Sequence, residues 1–139
     1  MAKIPTWMTV VAAALADGDG RFLLQKRPTG KQHGGLWEFP GGKVEPGESP
    51  RNALVREVNE ELTLTVDPSD AEPIAFAESE PDGGAPGIVL LLYKICCWTG
   101  KPVAEDGAEI GWFTLAEANR LPMPPLDSRL LKAIATGAE

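Results

Sequence analysis

Apolar positions recur along the chain with two periods. Strand-length apolar runs at 6–16, 21–27, 73–79, 87–98 and 109–114 predict five β-strands. GIVLLLYKICCW (87–98) is apolar almost throughout, which predicts a strand covered on both faces. Over 50–62 the pattern becomes helical. At about 100° per residue, Leu54, Val55, Val58 and Leu62 share an arc of roughly 100°, the expected core face. Ser49 supplies the N-cap and Pro50 the first helical position. The β-branched stretch Thr63-Leu64-Thr65-Val66 ends the helix near Leu62. LAEANRL (115–121) and SRLLKAIA (128–135) predict two further helices, the second capped by Asp127 or Ser128. Strands mixed with helices predict an α/β or α+β sandwich, a single domain over 1–139. The Pro- and Gly-rich stretches at 81–87 and 122–125 are expected to be loops.

The first two strands flank DGDG (17–20), which predicts a β-hairpin. MTVVAAALA (8–16) also has the apolarity of a signal-peptide core, but Lys3 is the only side-chain cation before it. No apolar run approaches the ~20 residues of a membrane span. A cytoplasmic protein with no membrane partner is expected.

Charge narrows the partners. A net charge of −7 disfavours stable nucleic-acid binding, while a phosphorylated small molecule would need cations placed locally. Cys96 and Cys97 are neighbours in an apolar run and would point to opposite faces of a strand. They are expected to be buried free thiols, suited to a reducing compartment. His33 is the only histidine, so no zinc-ligand spacing exists.

The chemistry concentrates in REVNEE (56–61). Glu57, Glu60 and Glu61 stand at i, i+3 and i+4, on an arc beside the core stripe. Such carboxylates repel one another unless something positive compensates, and Mg²⁺ takes a few carboxylates of this kind. A solvated helix face is the alternative. The preceding loop favours the metal: Gly41 and Gly42 allow close backbone approach, Glu48 lies just before the helix, and Arg56 can orient a neighbouring glutamate.

Written out, the stretch is Gly42, five residues, Glu48, seven residues, then Arg56-Glu57-Val58-Asn59-Glu60-Glu61-Leu62-Thr63-Leu64. It resembles the Nudix box, G-x5-E-x7-R-E-U-x-E-E-x-G-U with U aliphatic. The one departure is Thr63, which stands where the family usually has glycine. WEFPGGK (37–43), the KR at 26–27, Trp112-Phe113 and PPLD (124–127) extend the likeness to MutT-type nucleotide pyrophosphohydrolases over most of the chain.

The resemblance implies an α/β/α sandwich with a central mixed sheet. It also implies hydrolysis of a nucleoside diphosphate linked to another moiety, with Mg²⁺ or Mn²⁺. Glu57, Glu60 and Glu61 would be metal ligands helped by the Gly41 carbonyl, with Glu57 as general base and Glu48 in support. A further carboxylate would come from Glu105, Asp106 or Glu109, of which Asp106 has the best spacing from Trp112. Arg27 and Lys43 would meet phosphates, although Arg27 could also be a surface cation finishing a strand. Phe39 would line the nucleoside pocket, and Trp37 would be core or a base-stacking wall. Asp127 would accept a hydrogen bond from a base amine, or simply cap a helix. His33 is either a solvated loop residue or a ligand contact.

The expected reaction converts a nucleoside triphosphate, with cytosine or oxidised guanine as base, to the monophosphate and pyrophosphate. The alternatives are a sugar nucleotide or dinucleoside polyphosphate as substrate, or a catalytically silent Nudix domain that binds a ligand. A monomer or homodimer is expected.

Overall fold

The computed structural model describes residues 7–30 and 34–136. His33, and any contact it makes, lies outside them. The described strands are β1 (Trp7–Leu15), β2 (Arg21–Lys26), β3 (Trp37–Glu38), β4 (Gly41–Lys43), β5 (Ala71–Ser79), β6 (Gly87–Ile95) and β7 (Glu109–Thr114). The helices are α1 (Pro50–Leu62), α2 (Leu115–Ala118) and α3 (Pro125–Thr136).

The strands form two sheets, ordered β4-β1-β6-β5 and β3-β2-β7. The first is mixed. β1 runs antiparallel to β4 and parallel to β6, and β5 is antiparallel to β6. Successive side chains of β1 face opposite ways, and each face meets its own core. Val11, Ala13 and Leu15 pack with Leu54, Val58 and Leu62 of α1. Ala12 and Ala14 face Leu130 and Leu131 of α3, together with Leu24, Trp37 and Phe39. The result is an α+β sandwich, with the mixed sheet between α1 and α3.

Helix α1 forms as its sequence predicts. Ser49 Oγ accepts a hydrogen bond from the Asn52 amide at 3.1 Å, with Pro50 in the first turn. Ala53, Leu54, Val58 and Leu62 are buried, and each leucine contributes about 2 kcal/mol of burial. The helix stops at Thr63, which adopts the left-handed conformation at φ 59°. Its amide still bonds the Asn59 carbonyl, closing the last turn.

Several expectations need correction. The residues flanking DGDG do not form a paired hairpin. A single bridge joins Ala16 to Phe22, after which β1 and β2 diverge into different sheets, because β4 and β6 occupy both edges of β1. Cys96 and Cys97 are exposed, since β6 ends at Ile95, where its pairing with both Leu15 and Ala71 runs out. Helix α3 begins at Pro125 rather than 128, so Asp127 lies inside its first turn instead of preceding it. Within the Gly-rich loop, β3 and β4 are strands that local pattern did not disclose.

Candidate active site

The site lies where α1 crosses β4. Gly42 is the close-approach residue: a β-carbon there would collide with the Glu57 carboxylate. Gly41 has the same constraint on its other side, against the Val11 carbonyl. Glycine at both positions lets a carboxylate of α1 rest on the backbone of β4.

One guanidinium organises the rim. Arg56 grips Glu48 with two hydrogen bonds, Nε to Oε2 at 2.6 Å and Nη2 to Oε1 at 3.0 Å. Its Nη1 reaches Glu57 Oε2 at 3.1 Å and Glu60 Oε1 at 3.3 Å, and Nη2 also donates to the Lys43 carbonyl at 3.0 Å. Bidentate pairing holds Glu48 down at about 2. Glu48 therefore stays ionised and takes up protons poorly.

The floor behaves in the opposite way. Glu61 Oε1 accepts from the Gly41 amide and from Gln25 Nε2, each at 3.0 Å. Burial, and next the charge of Glu57, push Glu61 up to about 8. Glu57 is also raised, first by burial, with Arg56 pulling against it. Of the three helix carboxylates only Glu60 is largely exposed, at 58% of its side chain against 15% for Glu57. A solvated face does not describe this helix.

Oxygen-only donors, two of them with proton affinity raised by burial, Glu57 and Glu61, fit a hard divalent cation, whose charge would reverse that effect. Glu57, Glu60 and Glu61 are the residues that would hold it. Among the described residues no three such groups converge into a closed cage as they stand. Arg56 sits between Glu57 and Glu60, and Glu61 turns one oxygen toward Gly41 and Gln25. It is the Gly41 amide, not its carbonyl, that meets Glu61.

Beside the carboxylates opens a cavity of about 330 Å³, lined by Val10, Ile88, Leu90 and Leu126 with Arg27, Glu38 and Asp127 as its charged groups. Asp127 is 7% exposed, and its Oδ2 accepts from the Phe39 amide at 3.0 Å. Burial pushes its carboxyl up to about 7. Arg27 Nε pairs with Glu38 Oε2 at 2.7 Å.

The remaining expected site residues divide. Phe39 contributes its amide, while its ring is buried in the same core cluster as Trp37. Trp37 meets Phe113 edge-on at 5.0 Å, as core. The Lys43 side chain is exposed and does not line either cavity. Asp106 is exposed, whereas Glu105 lines a second, small cavity of about 40 Å³ with Gln25, Arg27, Glu38 and Glu61. Glu109 opens β7 opposite Lys26, also exposed.

Sequence reasoning missed Gln25 and Glu38 as site residues. The signal for Gln25 was present in FLLQKR, where period-2 alternation puts it on one face with Leu23 and Arg27.

A family model for the NUDIX domain matches residues 6–134. The chain belongs to the Nudix family. This Nudix chain is 39% identical over 126 residues to a CTP pyrophosphohydrolase of Escherichia coli K12, a match covering 91% of the chain and 90% of that protein. It is 35% identical over 120 residues to a putative 8-oxo-dGTP diphosphatase 2 of Mycobacterium tuberculosis, covering 85% and 81%. The solution structure of the E. coli ORF135 protein superposes with a TM-score of 0.81 at 35% identity, over 95% of this chain and 91% of that one. A MutT Nudix hydrolase from Burkholderia pseudomallei does so at 0.80 and 27% identity, over 92% and 98%. The protein is thus a Nudix pyrophosphohydrolase of the MutT type, and Nudix hydrolases work with divalent metal ions. Among the described residues no helix is long and apolar enough to cross a membrane.

Proposed function

We propose that this protein hydrolyses a nucleoside triphosphate to the monophosphate and pyrophosphate, with cytosine as the preferred base and oxidised guanine as the second. The observation that carries this reading is the place of Asp127, a buried carboxyl in an apolar cavity of about 330 Å³ beside the carboxylate helix. With Oδ2 held by the Phe39 amide, Oδ1 is left to accept from a base. Ionised, it matches the cytosine N4 amine and repels the O4 of uracil. The relatives named as a CTP pyrophosphohydrolase and an 8-oxo-dGTP diphosphatase support the same two bases.

The roles follow from the proton affinities. A divalent cation, Mg²⁺ or Mn²⁺, held by Glu57, Glu60 and Glu61 would neutralise the polyphosphate and acidify an attacking water. Glu57, beside the cation, would accept the proton of that water. Glu48 is held too acidic for that task and serves to hold Arg56 in place. Arg56 fixes the rotamers of Glu57 and Glu60. Arg27, on the wall shared by the two cavities, supplies the cation nearest the phosphates. Two exposed free thiols, Cys96 and Cys97, are consistent with a reducing, cytoplasmic setting.

A panel of CTP, dCTP, UTP, GTP and 8-oxo-dGTP with Mg²⁺ tests the reading. CMP or dCMP should appear fastest, together with pyrophosphate. Equal rates for CTP and UTP would contradict the role given to Asp127.

A further inference from the structure

We propose that Gln25 is a positioning residue, whose side-chain amide fixes Glu61 for the cation and joins it to the Glu38–Arg27 pair at the nucleotide cavity. This rests on the reading of α1 as the metal-holding helix, and adds a residue of β2 that lies outside the box.

Gln25 is 3% exposed. Its Nε2 lies 3.0 Å from Glu61 Oε1 and 3.5 Å from Glu38 Oε2. Both neighbours are carboxylates, so the nitrogen of the amide, not its oxygen, must face them. One amide nitrogen thus stands between two carboxyl groups and holds an oxygen of each. A continuous path results: Arg27 donates to Glu38, Gln25 donates to Glu38 and Glu61, and the Gly41 amide donates to Glu61. With Oε1 of Glu61 taken twice, Oε2 is the oxygen left for a cation.

The other end of the amide points the same way. Gln25 Oε1 is buried and has no partner among the described residues. Gln25 borders the small cavity that Glu61 and Glu105 also line. Leaving such an oxygen unbonded is destabilising. A cavity of about 40 Å³ has room for one water, which would bond the amide oxygen. A glutamine placed only for packing would have no need of this arrangement, since leucine fills the same volume in a strand at no polar cost.

The test is Mn²⁺ binding to the nucleotide-free protein, read from the electron paramagnetic resonance of free Mn²⁺. Gln25→Met keeps length and volume but removes the donors, and should weaken Mn²⁺ binding about tenfold. In the Glu61→Gln background the same substitution should change the affinity less than twofold, because the group it positions is gone. Gln25→Leu carries the same comparison should the Met variant not fold. Full-chain circular dichroism confirms that each variant is folded. Turnover of Gln25→Met should recover when Mg²⁺ is raised about tenfold, which a general loss of structure would not permit. Mn²⁺ affinity within twofold of wild type in Gln25→Met, with Glu61→Gln impaired, would overturn the proposal and leave the proposed function standing. Equal losses in both backgrounds would overturn it as well, and an unaffected Glu61→Gln would overturn the metal reading and this proposal together.

Discussion

At the rim of the site, Glu48 is gripped by two hydrogen bonds from Arg56 and held at about 2. At the floor, Glu61 is pushed up to about 8 by burial and by Glu57. The two side chains are chemically identical and meet the same helix. Their surroundings separate them by some six powers of ten in proton affinity. The rim is finished as it stands, with its charges paired inside the protein. The floor carries two carboxyl groups raised by burial, whose charge a bound cation would offset, and Arg56 belongs to the architecture around them.

The largest effect should come from the carboxylate between the two regions. Glu57→Gln is expected to lower kcat by roughly 10²–10⁴-fold, because it removes the proton acceptor and a ligand together. Glu48→Gln should cost roughly tenfold, since Glu48 acts only by holding Arg56. Steady-state kinetics at saturating Mg²⁺ measures both. Equal losses would erase the distinction between rim and floor.

Stability against pH should sharpen the same comparison through opposite signs. Glu61 has a raised affinity for its proton, so its favourable contribution is complete below about 4.5 and is lost as pH rises through about 8. Metal-free Glu61→Gln should therefore be more stable than wild type at pH 8, by about 4 kcal/mol, with the gap closing toward pH 4.5. Glu48 has a depressed value, so its contribution is present above about 4.5 and lost as pH falls through about 2. Glu48→Gln should lose stability at neutral pH and match the wild type in strong acid. Denaturant melts across this range read both signs; parallel curves for the two variants would break the account.

A third prediction moves to the nucleotide cavity. Asp127 titrates near 7, so the ionised acceptor gains ground as pH rises. The ratio of kcat/KM for CTP over UTP should grow several-fold from pH 6 to pH 8, and Asp127→Asn should flatten it. A pH-independent ratio in the wild type would remove Asp127 from base reading.

The smallest effect belongs to the turn that ends α1. Thr63 sits at φ 59°, where glycine carries no β-carbon strain. Thr63→Gly should leave activity unchanged and raise stability by about 0.5 kcal/mol. A drop in melting temperature would mean that the Oγ1 bond to the Leu62 carbonyl, at 2.6 Å, outweighs the strain.

What the sequence disclosed tracks how local each feature is. The Ser49 cap, the core stripe of α1, the pairing of Arg56 with Glu57 and Glu60, and the departure at Thr63 all depend on residues within about two helical turns, and each was legible. The exposure of Cys96 and Cys97 was not, because it depends on where β1 and β5 stop alongside β6. The separation of β1 from β2 was hidden for the same reason: β4 and β6, distant in sequence, claim both edges of β1. In the site, Gln25 is joined to Glu61 across 36 positions, and Asp127 to Phe39 across 88. No window of sequence contains both partners. Glu105 replaces Asp106 at the cavity wall through a one-residue choice of loop direction that spacing from Trp112 does not encode.

The central claim is that the floor of α1 drives cleavage of a nucleoside triphosphate between its α and β phosphorus atoms. Phosphorus NMR of CTP incubated with the protein and Mg²⁺ tests it most directly. The account predicts CMP and pyrophosphate in equal amounts, formed at least about a hundredfold more slowly by Glu57→Gln and not at all after chelation of the metal. CDP with orthophosphate, or undiminished product formation by Glu57→Gln, would contradict it.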